Sequence, residues 1–152
     1  MNHTRVVLDS NVFAKSFLDE GIQKRLNLCF ALYLSIFCPE IFLYEVLSIA
    51  AQNSFPIARA HKMVTLLQRA NLRLAPLTDQ QLQLAMRMAE DGNPKSGFPS
   101  IYDSAYHALA LSNNAVFITA DKRHIAKAEK YGNVALLSEW KSHLIISDTP
   151  QR

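Results

Sequence analysis

The sequence predicts an α/β protein, a three-layer α/β/α sandwich with a mostly parallel central sheet. Two observations predict this class. Short apolar runs rich in β-branched residues alternate along the chain with longer segments of helical periodicity. The runs at Arg5–Leu8 and Ala115–Thr119 are also largely apolar, as buried parallel strands are.

The composition limits the class of protein. The 152 residues are expected to form one domain, at 1–144, followed by a tail at 145–152 that has little periodicity. A hydrophobic content of 49% is ordinary for a soluble protein, and a net charge of +3 permits a polyanionic partner. Cys29 and Cys38 lie in apolar surroundings, which indicates reduced thiols. The sequence shows neither a secretory signal pattern nor an apolar run of membrane-spanning length, so we expect a cytoplasmic protein that does not enter a membrane.

The first half of the chain alternates between the two kinds of segment. Val12 begins a stretch of helical spacing soon after the first strand, and Pro39 ends a second apolar run. The predicted elements are a strand at Arg5–Leu8, helices at Val12–Leu18 and Ile22–Ala31, a strand at Tyr33–Cys38, and helices at Glu40–Asn53 and from Ile57 onward.

The second half contains the clearest helix start and the clearest loop. Thr78 followed by Gln81 is a capping box, which predicts a helix to about Glu90 with Leu82 and Met86 among the residues that face the core. The segment 91–99 is rich in Gly, Pro and Asn and is predicted to be a loop. The other predicted elements are strands at Leu72–Leu77, Ala115–Thr119 and Val134–Leu137, and helices at Ile101–Ser112, Lys122–Lys130 and around Glu139.

Four carboxylates occupy positions that are unusual for acids. Asp9 and Asp121 each follow a predicted strand, and Asp103 begins a helix after the loop. In open parallel sheets, ligands bind at the carboxyl ends of the strands. Each of these three acids also has a structural explanation, because it can cap the following helix or complete a capping box. Glu45 lies in an apolar helix, so it needs a cation, a polar partner or exposure to water.

Convergence of these acids would have a chemical consequence. Two carboxylates about 4 Å apart repel by roughly 4 kcal/mol at an effective dielectric constant of about 20. Several together raise one another's pKa or attract a divalent cation. A site made of oxygen ligands favours Mg²⁺ or Mn²⁺ over zinc, and such an ion can generate hydroxide and stabilise charge on a phosphodiester. The acids therefore indicate phosphodiester hydrolysis.

The segments that carry these acids resemble the four acidic motifs of PIN-domain ribonucleases, including VapC-type toxins. They are Val7–Asn11, Pro39–Val46, Tyr102–Ala110 and Phe117–Asp121, and the resemblance runs in order from Arg5 to Leu137. It implies a metal-dependent endoribonuclease and, if the chain is a toxin of the VapC type, a homodimer that binds a VapB-like antitoxin. It further implies that Mg²⁺ or Mn²⁺ is held by Asp9, Glu45, Asp103 and Asp121, with Ser10, Asn11 and Thr119 in supporting positions.

One position departs from the family pattern. Many relatives carry another acid two residues beyond the fourth, where this chain has Arg123 followed by His124. The departure removes one carboxylate from a two-metal site, and the basic pair is instead a candidate for phosphate contact. Lys15, Lys95 and Lys122 also lie on segments predicted to rim the cleft, so we expect them, with Arg123, to contact RNA, although solvated basic residues are commoner.

The sequence thus predicts hydrolysis of RNA by metal-activated water, and two alternatives stay open. A PIN-like scaffold that binds RNA or protein without cutting is consistent with Arg123. A phosphatase of the haloacid-dehalogenase type would use Asp9 as its nucleophile, although Asn11 stands where that family commonly has a second aspartate. His107 shares a helical face with Asp103 and could lie near the metal, but without other ligands at zinc spacing it is expected to be a packed or surface histidine.

Overall fold

The computed structural model describes residues 5–19, Ile22, Lys24 and residues 35–139. These residues form an α/β sandwich around one five-stranded sheet. The strands are β1 (Arg5–Leu8), β2 (Ser35–Pro39), β3 (Leu72–Ala75), β4 (Val116–Thr119) and β5 (Val134–Leu136). Every pairing between neighbouring strands is parallel, so the sheet is wholly parallel where the sequence predicted a mostly parallel one.

Six α-helices flank the sheet in the described part of the chain. They are α1 (Ser10–Ser16), α2 (Ile41–Gln52), α3 (Ile57–Ala70), α4 (Asp79–Asp91), α5 (Ile101–Ser112) and α6 (Lys122–Ala128), and a short 3₁₀ helix (Glu129–Tyr131) follows α6. No helix among the described residues is both long enough and apolar enough to cross a membrane.

The strand order creates a crevice between β1 and β4. The order is β3-β2-β1-β4-β5, so the chain builds outward from β1 to β3 and then returns to place β4 on the other side of β1. Leu8 pairs with Ile118 in this ladder, and the backbone N–H of Asp9 donates to the carbonyl of Ile118 at 3.0 Å. This reversal is the topological switch point at which open α/β sheets bind ligands.

The hydrophobic core explains why the first and fourth strands occupy the centre. Val7, Phe117 and Ile118 are completely buried, and all four residues of β4 are inaccessible to solvent. The ring of Phe117 stacks on that of Tyr106 from α5 at a centroid distance of 5.6 Å. Burial of such side chains contributes about 1.5–3 kcal/mol each, which fixes the strand ends that carry polar residues.

The structure confirms the alternation of strands and helices and corrects one predicted helix face. The capping box of Thr78 and Gln81 is formed at the start of α4. Leu82 and Met86 are 45% and 47% exposed, whereas Ala85 and Met88 are buried against α5. The prediction of Leu82 and Met86 as core residues was wrong because α4 buries only a narrow stripe of side chains.

Several predicted features lie outside the described residues. The helix predicted at Ile22–Ala31 is described only at Ile22 and Lys24, and the strand predicted from Tyr33 is described from Ser35 onward. The helix predicted around Glu139 falls mostly beyond the last described residue. Cys29 and the tail at 145–152 also lie outside this part of the chain.

Candidate active site

Asp9 is buried at the carboxyl end of β1, with 3% of its surface exposed. Its Oδ1 accepts a hydrogen bond from the backbone N–H of Asn11 at 3.1 Å, so the carboxylate caps α1. Its Oδ2 accepts from the Thr119 hydroxyl at 2.7 Å. The Ser10 hydroxyl lies 3.5 Å from Oδ1, which is at the outer limit for a hydrogen bond. Since a carboxylate oxygen has two lone pairs, each oxygen retains acceptor capacity for a further ligand.

The Thr119 side chain connects Asp9 to the backbone of Asp121 by hydrogen bonds. Its buried hydroxyl donates to Asp9 and accepts a hydrogen bond from the backbone N–H of Asp121 at 3.0 Å. The Asp121 carboxylate in turn caps α6 by accepting from the Arg123 backbone N–H at 2.8 Å. One hydroxyl at the end of β4 therefore fixes both the buried acid on β1 and the start of the loop that carries Asp121.

Glu45 is half-buried in α2 and has a partner that the sequence did not reveal. The Tyr106 hydroxyl donates to Glu45 Oε1 at 2.7 Å, and the Tyr106 and Ser10 hydroxyls both lower the pKa of the carboxyl group. Tyr106 itself is almost completely buried in α5. The Glu45 carboxylate is thus tolerated in an apolar helix because it accepts a hydrogen bond from a hydroxyl on another helix.

Asp103 lies in the first turn of α5, next to the loop at 91–100. Its backbone N–H donates to the Ser100 hydroxyl at 3.0 Å, so the expected serine cap is formed. Burial raises the pKa of Asp103, and the charge of Asp121 raises it further. The Ser100 hydroxyl acting on the carboxyl group itself, and the positive charge of Lys127, lower the pKa and so oppose these effects. Lys127 is a cation near the acids that sequence patterns did not single out.

The four acids are electrostatically coupled. Burial is the main cause that raises the pKa of Asp9, and the charges of Asp103 and Asp121 add to it, while the bonds from Thr119 and Asn11 oppose it. Burial likewise raises the pKa of Glu45, with further increases from the charges of Asp9 and Asp103. Each acid therefore interacts with at least two of the others, and the cluster favours either protonation or a bound cation.

The four acids have the right ligand atoms for a hard cation, but their side chains are not close enough to surround one ion on their own. All four side chains offer only oxygen ligands, the type that Mg²⁺ and Mn²⁺ prefer. Across residues 5–19 and 35–139, however, no group of three or more His, Cys, Asp or Glu side chains is close enough to hold one metal ion. A cation at this edge of the sheet would accordingly need water ligands beside carboxylates, as Mg²⁺ usually retains.

The predicted phosphate-contacting residues lie on the surface. Lys122 and Arg123 are exposed in the first turn of α6 beside Asp121, Lys15 is exposed in the last turn of α1, and Lys95 is exposed on the loop before Asp103. Asn11 is exposed in the first turn of α1. Their roles in RNA binding stay predictions.

His124 does not form the basic pair that the sequence suggested. It is 2% exposed, and burial lowers its pKa to about 4, so it is neutral near pH 7. Its Nε2 lies 3.2 Å from Nδ1 of His107, which is also buried. His107 is thus a packed histidine, as expected, while the prediction that His124 contacts phosphate is wrong because its ring faces the core.

A wholly parallel five-stranded sheet with coupled acids at its switch point matches the PIN class of α/β domains. The family model described as the PIN domain matches residues 6–130. The chain therefore belongs to the PIN domain family. A search of curated proteins found no match.

Solved structures agree with this assignment. The chain is similar to a chain of the VapBC2 complex from Rickettsia felis, solved with a DNA fragment from its promoter, at 15% identity and a TM-score of 0.63 over 87% of this chain and 96% of that chain. It is also similar to a PilT N-terminus domain protein from Sulfolobus solfataricus P2, at 19% identity and a TM-score of 0.51 over 97% of this chain and 99% of that chain. At these identities the similarity shows the fold alone, and in fold the resemblance to VapC-type toxins is confirmed.

Proposed function

We propose that this PIN domain is an endoribonuclease that depends on Mg²⁺ or Mn²⁺ and hydrolyses RNA phosphodiester bonds. The observation that carries the proposal is the buried carboxylate of Asp9, whose pKa is raised by burial and by the charges of two other acids at the same sheet edge. A site that collects negative charge in this way is costly without a cation. Membership of the PIN family supports the same activity.

The residues of the chain have distinct tasks in this proposal. Asp9, Glu45, Asp103 and Asp121 would hold the cation, some of them through bound water, and the cation would supply a nucleophile at neutral pH and stabilise charge on the phosphodiester. The Thr119 hydroxyl orients Asp9, and the Tyr106 hydroxyl orients Glu45. Such partners of metal ligands typically contribute about 10–100-fold in metal affinity or activity.

The exposed cations would hold the substrate. Lys122 and Arg123 begin α6 beside Asp121, and Lys15 and Lys95 lie on neighbouring elements, so their charges can offset the repulsion between RNA phosphates and the acidic cluster. Such contacts are independent of base sequence. We expect substitution of these residues to raise KM by a larger factor than it lowers kcat. It should also reduce the salt dependence of RNA binding.

Cleavage of a mixed RNA pool tests the proposed activity. The protein is incubated with Mn²⁺, with EDTA, and as Asp9→Asn and Asp103→Asn variants, and Asp19→Asn on the surface serves as a matched control. We expect cleavage with Mn²⁺ that is abolished by EDTA and reduced at least about 100-fold in both site variants. Cleavage in EDTA, or full activity in both variants, contradicts the mechanism.

Two alternatives would give different results. Arg123, where many relatives carry an acid, favours a scaffold that binds RNA without cutting, and persistent binding without cleavage would support it. A phosphatase would form a phosphoaspartate at Asp9, which trapping experiments can detect. The second alternative is disfavoured because Asn11 stands where haloacid-dehalogenase-like phosphatases commonly have a second aspartate.

The similarity to a VapBC complex supports a protein partner. We propose that the chain is the toxin of a toxin–antitoxin pair, forms a homodimer and is inhibited by an antitoxin of the VapB type. Light scattering should then give a mass of twice 17.1 kDa. A cognate antitoxin of the VapB type, identified by its binding to the purified chain, should abolish RNA cleavage, and unchanged cleavage at saturating amounts would contradict the pairing.

A further inference from the structure

Two buried histidines link the helices that carry Asp103 and Asp121. His107 lies one helical turn after Asp103 in α5, and His124 lies three residues after Asp121 in α6. Nδ1 of His107 is 3.2 Å from Nε2 of His124, and Nε2 of His107 is 2.6 Å from the carbonyl oxygen of Gly132, just before β5. The two rings also pack on Phe117 of β4, at centroid distances of 6.0 and 5.4 Å.

The contacts determine where each proton lies. A carbonyl oxygen can only accept, so His107 must carry its proton on Nε2. Its Nδ1 is then an acceptor, which requires that His124 donate from Nε2. Burial lowers the pKa of both rings to about 4, so both are neutral near pH 7. Nδ1 of His124 is therefore an unprotonated acceptor, and it has no partner among the described residues.

We propose that the hydrogen bond between His124 and His107 is a positioning contact that holds the helices bearing Asp103 and Asp121 at the spacing needed to share a divalent cation. The inference rests on the proposed function. Asp103 and Asp121 are carboxylates at the starts of these two helices, and like charges brought to one site repel. The histidine bond opposes this repulsion because it connects the same two helices one turn deeper in the core.

The geometry identifies a matched pair of variants at His124. The amide nitrogen of a glutamine reaches about as far as histidine Nε2, so His124→Gln keeps a donor for His107. The amide nitrogen of an asparagine lies one methylene closer to the backbone, so His124→Asn remains polar but does not reach. Val64→Ala, in the buried face of α3 and outside the acidic cluster, is a control for general loss of stability.

Mn²⁺ affinity of the purified full chain, measured by electron paramagnetic resonance, is the functional readout. We expect His124→Gln to bind within about 3-fold of the wild type and His124→Asn to bind at least about 10-fold more weakly, with Val64→Ala unchanged. Equal affinity of the two His124 variants overturns the inference. If both variants are folded by circular dichroism and His124→Gln binds Mn²⁺ no more tightly than His124→Asn, the inference is also overturned.

Nitrogen chemical shifts of the wild type give a readout independent of metal and of RNA. Both histidines should be neutral at pH 7 with the proton on Nε2, and the Nδ1-protonated form of His107 would overturn the inference. The proposed function fails separately, if the wild type binds Mn²⁺ but cuts no RNA. The positioning role would then stand on the metal affinities alone.

Discussion

Replacing Thr119 by valine tests how much one hydroxyl contributes to the buried acid. The change removes the 2.7 Å hydrogen bond to Asp9, and a hydrogen bond to a charged group contributes about 1.5–3 kcal/mol. It also leaves the Asp121 N–H without its acceptor, for about 1 kcal/mol more. The methyl group that replaces the hydroxyl is buried, and its burial offsets about 0.8 kcal/mol of this loss. We therefore expect Thr119→Val to lower the free energy of unfolding by about 2–3 kcal/mol.

Thr119→Ser is the matched control, because it keeps the hydroxyl and loses one buried methyl group. It should lower the free energy of unfolding by about 1 kcal/mol. Urea unfolding followed by circular dichroism at pH 7.5 in EDTA measures both variants without contributions from a metal. RNA cleavage with Mn²⁺ should fall much more in Thr119→Val than in Thr119→Ser. A valine variant as stable as the wild type, or a serine variant less stable than the valine variant, would refute the reasoning.

Three further predictions concern the acids and the histidines. Asp9→Asn should abolish cleavage yet raise the unfolding temperature in EDTA, because burial and neighbouring charges disfavour the Asp9 carboxylate, and Mn²⁺ should stabilise only the wild type; a less stable variant in EDTA contradicts this. Tyr106→Phe leaves Glu45 Oε1 without its tyrosine donor and should lower the free energy of unfolding by about 1 kcal/mol, as urea unfolding can check, whereas an unchanged urea midpoint would show that the bond is unimportant. The pKa values of His107 and His124 lie at about 4, below the 6.5 expected when unfolded, so the unfolded chain binds protons first and stability is lost as pH falls from about 6.5 toward 4. The loss should reach at most about 1.4 kcal/mol per pH unit for each histidine, and His124→Gln should be less sensitive than the wild type when urea midpoints at pH 7 and pH 5 are compared; equal slopes would contradict the assigned pKa values.

Local patterns predicted the strands and most helix boundaries. Apolar runs ended by polar residues located β1 and β4, and the capping box located the start of α4, because these features depend only on neighbours in sequence. The alternative explanations for the acids were also informative. Asp9 and Asp121 do cap their helices while belonging to the charged cluster, so capping and a site role coexist in the same carboxylates.

Contacts between distant segments could not be predicted in the same way. Tyr106 and Glu45 are 61 residues apart, and their hydrogen bond depends on how α5 and α2 are brought together by the fold. His124 looked basic beside Arg123 because sequence alone does not show which face of a short helix is buried. The exposed Leu82 illustrates the converse error, since an apolar residue on an amphipathic helix need not face the core.

A crystal structure of the protein soaked in Mn²⁺, with anomalous diffraction recorded at a wavelength where manganese scatters strongly, tests the central claim most directly. We expect an anomalous peak at the carboxyl ends of β1 and β4, with an Asp9 oxygen about 2.1 Å away and Asp103 or Asp121 contributing directly or through water. A fully occupied peak elsewhere, with none at this edge of the sheet, would contradict it.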